Sequence, residues 1–585
     1  MALTSSHATR GAAVGPRRLG VILAVFVLSA CNATASPSPS APAASGPPSS
    51  QSAPSTEPSA AANVPVPGSK VVIAIPALGT GDFSPSGSGD DNEKAIGLMG
   101  EALVSVDPST RLLVGELAES FTLSDDGKTW DFKLRPNIPF HGGYGTVTSE
   151  DVKHSWTGYT APESTHGGAA QMAQAIDGKA ENFEIVSDLE FKVHTENPVV
   201  FLPATLCSCN NGMVVSSKKY FDEKGADAER SHPILTGPYE FVSFKSGVEL
   251  VMKAVPNHWR KTPAFETATV QEIPDGAARL VQVQSGAVDI AELDPILAGE
   301  ATAANLSVLS IKDIGNAFMI LGGIYDPSIK AVADDPDRVF TNDDDSPWIQ
   351  ANDPAKGKAI REAMSLAIDR QLILDQVLQG HGSLATGPLI QYNANPELND
   401  PSWSVPEFNL ELAKQKLAEG GYPNGFPVTI FEYPGGEVDT FSVDQAIAGM
   451  WQDLGLQVEE TQAEEDLLDE QLDKADTAGI AWVKYAGWAA EPAETLIRYS
   501  VRKGRDYKLL VRAIEDGYDQ SAVELDPAKR WQIARDVITK LRDDYSLLTL
   551  YNVDMLFVAG PKVGGWEAIP GLNAFTRPET ITPAG

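Results

Sequence analysis

The sequence predicts an α/β protein built on open sheets and divided into two or more lobes. Three observations support this prediction. Apolar runs typical of buried strands alternate with helical patterns along the chain, without an obvious tandem repeat. The 585 residues exceed what one compact core usually takes. A composition of 42% hydrophobic and 8% aromatic residues is sufficient to build such cores.

The first thirty residues are predicted to be a targeting segment and are excluded from the fold. Arg17 and Arg18 form its basic part, and Leu19 to Leu28 form an apolar part too short to span a membrane as a helix. The segment ends in Leu28-Ser29-Ala30-Cys31, which resembles the bacterial lipobox, where the Cys is lipidated and becomes the new N-terminus. We therefore expect Cys31 to anchor the protein on the outer face of the cytoplasmic membrane. An ordinary signal peptide with a chance Cys, or an unprocessed anchor, is the alternative.

A tether is predicted to follow the anchor. Residues 32–69 contain little but Ser, Ala, Pro, Thr and Gly. Because such a segment cannot bury apolar surface, residues 31–69 are predicted to be the lipidated Cys and a disordered tether.

Globular sequence is predicted from Lys70 onwards. Val71 to Ile75 is a short apolar run suited to a buried strand, and Trp130 to Leu134 alternates with the period of a half-buried strand. The turn before the second strand is Asp125-Asp126-Gly127-Lys128. Lys358 to Gly380 is predicted to be one helix, with an apolar face of Ile360, Ala363, Met364, Ala367 and Ile368. A further helix is predicted to begin at Asp526-Pro527 and to bury Trp531, Ala534, Val537, Ile538 and Leu541.

Charge and cysteine content argue against several classes of partner. The 79 acidic against 45 basic residues give a net charge of −34, which disfavours binding to nucleic acid. Cys207 and Cys209 offer too few ligands for a metal. A disulfide between residues two apart would be strained in an extended backbone, and both buried thiols and a local disulfide stay open. Asp334 to Asp345 is rich in Asp but lacks the alternating pattern of a calcium loop. We expect no metal and no cofactor.

Motifs of familiar enzymes are incomplete in this sequence. Gly127-Lys128-Thr129 ends like a phosphate-binding loop, but Thr122 stands where that loop requires Gly. Ser216 to Lys219 fits Ser-x-x-Lys without the accompanying Ser-Asp-Asn and Lys-Thr-Gly motifs. Neither Gly-x-Ser-x-Gly nor His-Glu-x-x-His occurs. We therefore expect the protein not to be an enzyme, with a secreted hydrolase as the least favoured alternative.

An ordered series of short blocks resembles a known family, the extracellular solute-binding proteins (family 5) of oligopeptide, dipeptide and nickel ABC importers. The blocks include Leu117-Ala118-Glu119-Ser120, Asp125-Asp126-Gly127-Lys128-Thr129-Trp130, Phe140-His141-Gly142-Gly143, Thr236-Gly237-Pro238-Tyr239, Asn257-His258-Trp259, Gln284-Ser285-Gly286-Ala287-Val288-Asp289 and Gly421-Tyr422-Pro423. Each block is weak by itself, and their common order makes the resemblance specific. It extends from Lys70 to about Trp566.

The resemblance implies a two-lobe periplasmic-binding-protein-like fold of type II, with an extra subdomain in the first lobe. Lobe I would comprise residues 70–308 and 556–585, and lobe II residues 309–555. The chain would cross between the lobes near 316–318 and near 550–552. A ligand enclosed between two hinged lobes suits import, because closure both sequesters the ligand and reports occupancy.

The resemblance also suggests where the ligand binds. Peptide binders of this family share a Trp-x-x-Asp segment whose Asp holds the α-ammonium of the peptide, and the similar segment here is Gly487-Trp488-Ala489-Ala490-Glu491. Glu replaces Asp and directly precedes Pro492, which leaves the alignment of this motif open by several residues. The expected ligand contacts are Trp488, Ala489, Glu491, Tyr485, Tyr551 and Phe83. Trp488 as a core or rim aromatic is the alternative.

The sequence therefore predicts an extracytoplasmic, lipid-anchored solute-binding protein that delivers a peptide or peptide-like compound to an ABC permease complex. We expect a monomer. Two alternatives keep the same fold: a binder of sugars or metal chelates, and an orphan signalling receptor without a transporter.

Overall fold

A computed structural model describes residues 64–87, 94–107, 109–166, 169, 172, 180–210, 212–323, 346–350, 352–389, 400–432, 440–462, 477–487, 491–499, 511–567 and 577–585. The predicted targeting segment, Cys31 and the Asp-rich stretch 334–345 lie outside these ranges. Among the helices within them, none is long and apolar enough to cross a membrane.

The described part of the chain alternates between strands and helices. The strands, β1 to β19 in chain order, are Val66–Ile75, Val104–Val106, Leu113–Gly115, Ala118–Leu123, Thr129–Leu134, Phe183–Ser187, Glu190–His194, Tyr239–Lys245, Glu249–Ala254, Phe265–Glu272, Ile290–Glu292, Ser307–Leu321, Ser383–Leu384, Pro427–Glu432, Gln457–Gln462, Ile480–Gly487, Leu547–Ala559, Val563–Gly565 and Thr582–Pro583. The α-helices, α1 to α13, are Ser149–Tyr159, Leu202–Thr205, Lys218–Lys224, Ala226–Ser231, Gly276–Ser285, Ala298–Ala303, Pro354–Leu366, Arg370–Leu372, Leu410–Glu419, Phe441–Leu454, Pro492–Tyr499, Arg512–Ser521 and Pro527–Asp544.

One mixed sheet of 11 strands runs through the described part of the protein. Its order is β15-β14-β16-β12-β17-β11-β1-β10-β9-β8, with β13 paired to β17. Parallel pairs lie on both sides: β1 pairs with β10 and β11, and β14 pairs with β15 and β16. The long antiparallel strands β12 and β17 join the two sides. This arrangement confirms the predicted α/β class, and it places one parallel group of strands on each side of a two-strand junction.

The first two predicted strands are present. β1 contains Val71 to Ile75, but it begins earlier, where Val66 pairs with Phe265 of β10. The predicted tether is therefore too long by about four residues, because residues 66–69 belong to the strand. Trp130 to Leu134 lies in β5, and its alternate side chains are buried as predicted.

The single helix predicted from Lys358 to Gly380 is wrong, although its apolar face is buried. The chain forms α7, then α8, then a π-helix at Ile373–Val377. The break occurs at Asp369, which has an extended backbone and accepts a hydrogen bond from Leu372 N–H (2.9 Å). The buried guanidinium of Arg370 then donates to the carbonyl of Thr549. This distant acceptor favours the break over a continuous helix.

The helix predicted from Asp526-Pro527 is confirmed as α13. The carboxylate of Asp526 accepts a hydrogen bond from Ala528 N–H at 3.0 Å, which caps the helix as expected. The predicted apolar positions are buried except Trp531, which is only half-buried.

A separate four-stranded antiparallel sheet, β4-β5-β7-β6, lies between β3 and β8 in the sequence. Its core contains stacked rings, with Phe191 centred 5.0 Å from Phe132 and 4.5 Å from Phe183. In the chain that follows this sheet, Cys207 and Cys209 form a disulfide and are almost fully buried. Of the two states that the sequence left open, the structure has the bonded one.

Candidate functional site

The strand directions define a crevice at the junction of β12 and β17. β11 advances along β17 from Ala559 toward Phe557, and β16 advances along β12 from Leu321 to Gly315. The two parallel groups therefore point their carboxyl ends toward the same stretch of β12, from opposite sides. In open α/β sheets, ligands bind in the crevice outside the carboxyl ends of the strands. This crevice is the candidate site.

A bulge interrupts the junction between the two groups. Residues 312–314 of β12 lie opposite the single residue Asp554 of β17, and Asp313 has a left-handed backbone with φ 52°. The buried carboxylate of Asp554 accepts from Asp313 N–H (3.1 Å), Lys312 Nζ (2.5 Å) and Ser310 Oγ (3.3 Å). One carboxylate thus holds the irregular backbone together, and such positions suit a hinge.

The two crossing segments predicted from the sequence meet directly beside this bulge. Asn316 pairs with Asn552 in the ladder, and its Nδ2 donates to Asn552 Oδ1 (3.0 Å) and to Gly387 O (3.2 Å). Asn552 Nδ2 in turn donates to Ser383 Oγ at 3.1 Å. The predicted lobe boundaries stay a prediction, and the two predicted crossing segments lie side by side on antiparallel strands.

Two of the predicted ligand residues lie in this junction. Tyr485 and Tyr551 are both register partners of Ala317, on its two sides. The hydroxyl of Tyr485 donates to Ile314 O at 2.8 Å, and a Cβ at Gly315 would lie 2.0 Å from the Tyr485 ring. Tyr551 is buried in the apolar core that includes Ala317. Their observed contacts are therefore with the hinge strands rather than with an open surface.

Glu491 has an internal partner that the sequence did not reveal. Arg530 Nε lies 2.6 Å from Glu491 Oε1, and Arg530 Nη2 lies 3.0 Å from Oε2. Burial raises the pKa of Glu491, and the bidentate hydrogen bonds and charge of Arg530 oppose this shift. A ligand ammonium would have to compete with that guanidinium, and the contact between Glu491 and a peptide amine stays a prediction. Trp488 and Ala489 lie outside the described residues.

Phe83 is placed away from the junction. Its ring lies 5.4 Å from Phe244 and 5.8 Å from Phe241, both on β8, and it has no exposed surface. The predicted ligand contact is therefore corrected to a core contact. β8 is the far edge of the sheet, and only the tertiary structure brings it to the loop after β1.

The structure points to an acidic residue that sequence reasoning missed. Glu292 ends β11, at the edge that faces the crevice, and 8% of its surface is exposed. Its Oε2 has no hydrogen-bond partner within the described ranges. A buried carboxylate of this kind can pair with a cationic ligand group. In the sequence it appears only as one acid in Ala291-Glu292-Leu293-Asp294, without a motif around it.

In the part of the chain that the structure describes, no group of three or more His, Cys, Asp or Glu side chains could hold a metal ion. The arrangement at the junction consists of backbone edges, amides and carboxylates. Such groups can bind a polar organic solute.

Comparison with known families gives one match that covers well over half of the chain. The model of the bacterial extracellular solute-binding proteins, family 5 (middle region), matches residues 113–506. A curated relative, the oligopeptide-binding protein AppA of Bacillus subtilis, is 24% identical over 465 residues, which cover 74% of this chain and 77% of AppA.

Solved structures share the fold. The periplasmic binding protein DppA from Helicobacter pylori, in complex with the peptide STSA, matches with a TM-score of 0.68 at 17% identity, covering 88% of this chain and 98% of DppA. NikA from Brucella suis, in complex with Fe(III)-EDTA, matches with a TM-score of 0.69 at 19% identity, covering 88% of this chain and 99% of NikA. Both similarities cover 88% of the chain, and they establish a type II periplasmic-binding-protein fold.

Proposed function

Because the chain belongs to the bacterial extracellular solute-binding proteins of family 5, we propose that it captures a peptide or peptide-like solute between two lobes and delivers it to an ABC importer. One observation of the structure carries the proposal. Parallel strands on both sides of the β12–β17 junction aim their carboxyl ends at one hinge-like bulge. A solute held there contacts both sides, so its binding energy favours closure.

The relatives support a peptide more than another solute. AppA is named for oligopeptides and the DppA structure contains a peptide, whereas NikA contains a metal chelate. Within this proposal the role of the chain is binding and delivery, not catalysis. A retained metal chelate or sugar would favour the same-fold alternative, and measured peptide turnover would favour a hydrolase.

We assign the ligand's cationic group to Glu292. Its Oε2 is buried without a hydrogen bond inside the described ranges, whereas Glu491 is already neutralised by Arg530. Trp488 and Ala489, which follow β16 in the sequence, are proposed to contact the solute.

The lipid anchor and the lobe boundaries belong to the same proposal. Cys31→Ser should release the protein from the membrane fraction, because two buried acyl chains hold it at roughly 0.8 kcal/mol per CH₂. Residues 70–308 with 556–585, and 309–555, are the proposed lobes. Saturating solute should reduce the radius of gyration in small-angle scattering, and an unchanged radius would argue against hinged capture.

The first experiment identifies the solute. Native mass spectrometry of the purified protein should show a retained mass that fragments as a peptide. Calorimetry with free and N-acetylated forms of that peptide then tests the cationic contact.

Glu292→Gln should weaken binding of the free peptide by about 30-fold or more, the cost of leaving a buried ammonium unpaired. The acetylated peptide should lose far less affinity, and Glu300→Gln, an exposed acid on α6, is the matched control. If Glu292→Gln keeps full affinity for the free peptide and Glu491→Gln loses much of it, Glu491 and not Glu292 binds the cationic group of the ligand.

A further inference from the structure

A small contact joins parts of the chain that belong to different proposed lobes. On one side is the turn 125–128 before β5, together with residues 198–201, which follow β7. On the other is the closing loop, which we define as residues 522–526 between α12 and α13. Within the described residues, a backbone hydrogen bond crosses this contact from Val200 N–H to Ala522 O at 3.3 Å.

Side chains complete the contact. Gly127 has φ 72°, and a Cβ there would lie 2.7 Å from Leu525 Cδ2 and 2.9 Å from Pro198 Cβ. The absence of a side chain at Gly127 is therefore what lets Leu525 fit against the turn. Next to it, the rings of Phe201 and Tyr518 meet edge to face, with centroids 6.3 Å apart. The buried residues Val200, Phe201, Tyr518 and Ala522 belong to one apolar cluster, which continues the contact into the core.

Arg530 holds the closing loop in shape. Its Nη1 donates to two carbonyls of the loop, Glu524 O at 2.9 Å and Leu525 O at 3.1 Å. Its Nε and Nη2 form the bidentate pair with Glu491. Arg530 is 8% exposed, so these bonds are shielded from water. One side chain thereby ties the loop to Glu491, the residue directly before α11.

The other end of this connection reaches the candidate site. Glu491 is the fourth residue after Gly487, the last residue of β16, whose carboxyl end faces the crevice. Glu491, the Arg530 guanidinium and the carbonyls of the closing loop are therefore joined in one series of hydrogen bonds.

We propose that Arg530 is a positioning residue for solute capture: paired with Glu491, it sets the closing loop against the Gly127 turn and couples the crevice to closure of the lobes. This inference rests on the proposed function. Arg530 does not touch the solute in this scheme. It determines how much of the protein is closed, and the apparent dissociation constant rises as the closed fraction falls.

The test measures the distance across the contact. Spin labels at exposed positions 125 and 523 (Asp125→Cys, Val523→Cys) report it by double electron–electron resonance. Leu525→Asp and Arg530→Gln should each shift the short-distance population of the unliganded protein to longer distances. Val242→Asp, which places the same charge on an exposed position of β8, should not. The full chain with Cys31→Ser is used, since Cys207 and Cys209 are bonded to each other.

A double-mutant cycle separates positioning from general stability. Both single variants should weaken binding of a synthetic tetrapeptide mixture by about 10-fold if the closed fraction falls by the same factor. Arg530→Gln should then add less than about 2-fold in the Leu525→Asp background, because the two residues act through one contact. Thermal unfolding monitors the fold, and if Arg530→Gln fails to fold, Leu525→Asp still carries the test.

The outcomes distinguish this inference from the proposed function. Unchanged distances in folded Leu525→Asp and Arg530→Gln, or fully additive losses of affinity, would overturn the role of Arg530 even if peptides bind. A wild-type protein that binds no peptide, and whose distance does not respond to the tetrapeptide mixture, would overturn the proposed function. The distances in the unliganded variants would still decide whether Arg530 positions the loop.

Discussion

Arg260 is the most informative residue for testing the electrostatics of the first proposed lobe. Its guanidinium lies among three buried carboxylates, at 3.1 Å from Glu101 Oε1 and from Glu579 Oε1, and in direct contact with Glu116. Burial raises the pKa of Glu101, but Arg260 and His258 outweigh burial and keep that pKa below 4.5. Burial raises the pKa of Glu116 to about 7 in spite of Arg260.

The cost of Arg260→Met follows from this geometry. A carboxylate that loses its cation must take up a proton or stay charged in the core. At pH 7, protonating a group with an ordinary pKa of 4.5 costs about 3.4 kcal/mol, at roughly 1.4 kcal/mol per pH unit. One or two such carboxylates put the loss of stability at about 3–7 kcal/mol, a large part of the ~5–15 kcal/mol of a typical domain. At pH 4.5 protonating such a carboxylate costs almost no free energy, and the loss of stability should shrink to about 2 kcal/mol or less.

Urea denaturation followed by tryptophan fluorescence at pH 4.5 and pH 7 measures this difference. The midpoint of Arg260→Met should fall far below wild type at pH 7 and approach it at pH 4.5. Arg230→Met is the matched control, because its partner Asp227 is fully exposed, and it should leave the midpoint unchanged. An equal loss at both pH values would show that packing, not charge, sets the contribution of Arg260, and would refute the reasoning.

Three further predictions concern the hinge, acid stability and the disulfide. Gly315→Ala should lower the melting temperature by several degrees, since its Cβ would lie 2.0 Å from the Tyr485 ring; an unchanged temperature would mean that the ring moves freely. Burial lowers the pKa of His141 to about 4, so stability should fall by up to about 3 kcal/mol as the pH drops from 6.5, where the unfolded His begins to protonate, to 4. His141→Gln should flatten that decline in denaturation midpoints, and a curve parallel to wild type would contradict the assignment. Cys207 and Cys209 should give no free thiol in denaturant without reductant, and thiols that react there would exclude the disulfide.

Local sequence patterns were sufficient to predict a helix or strand where the groups that stabilise it are neighbours in sequence. The cap of α13 involves Asp526 and Ala528, two positions apart, and the alternation that predicted β5 is a property of five consecutive residues. The short sequence blocks that carry the resemblance likewise indicated the family and the type II fold, because their order along the chain follows the order of the turns and strands.

The tertiary structure decided what depends on groups far apart in sequence. Arg370, which follows the break in the predicted long helix, donates to Thr549, 179 positions away, and Arg530 pairs with the carboxylate of Glu491 from 39 positions away. Burial of Glu292 at the crevice likewise depends on where β11 lies in the sheet. The sequence by itself determined the fold class, the main elements and the family, whereas the free or paired state of each candidate carboxylate was decided by folding. The physical reason is that a buried carboxylate pairs with whichever group the fold brings within about 3 Å of it. The spacing of residues along the sequence does not determine that distance.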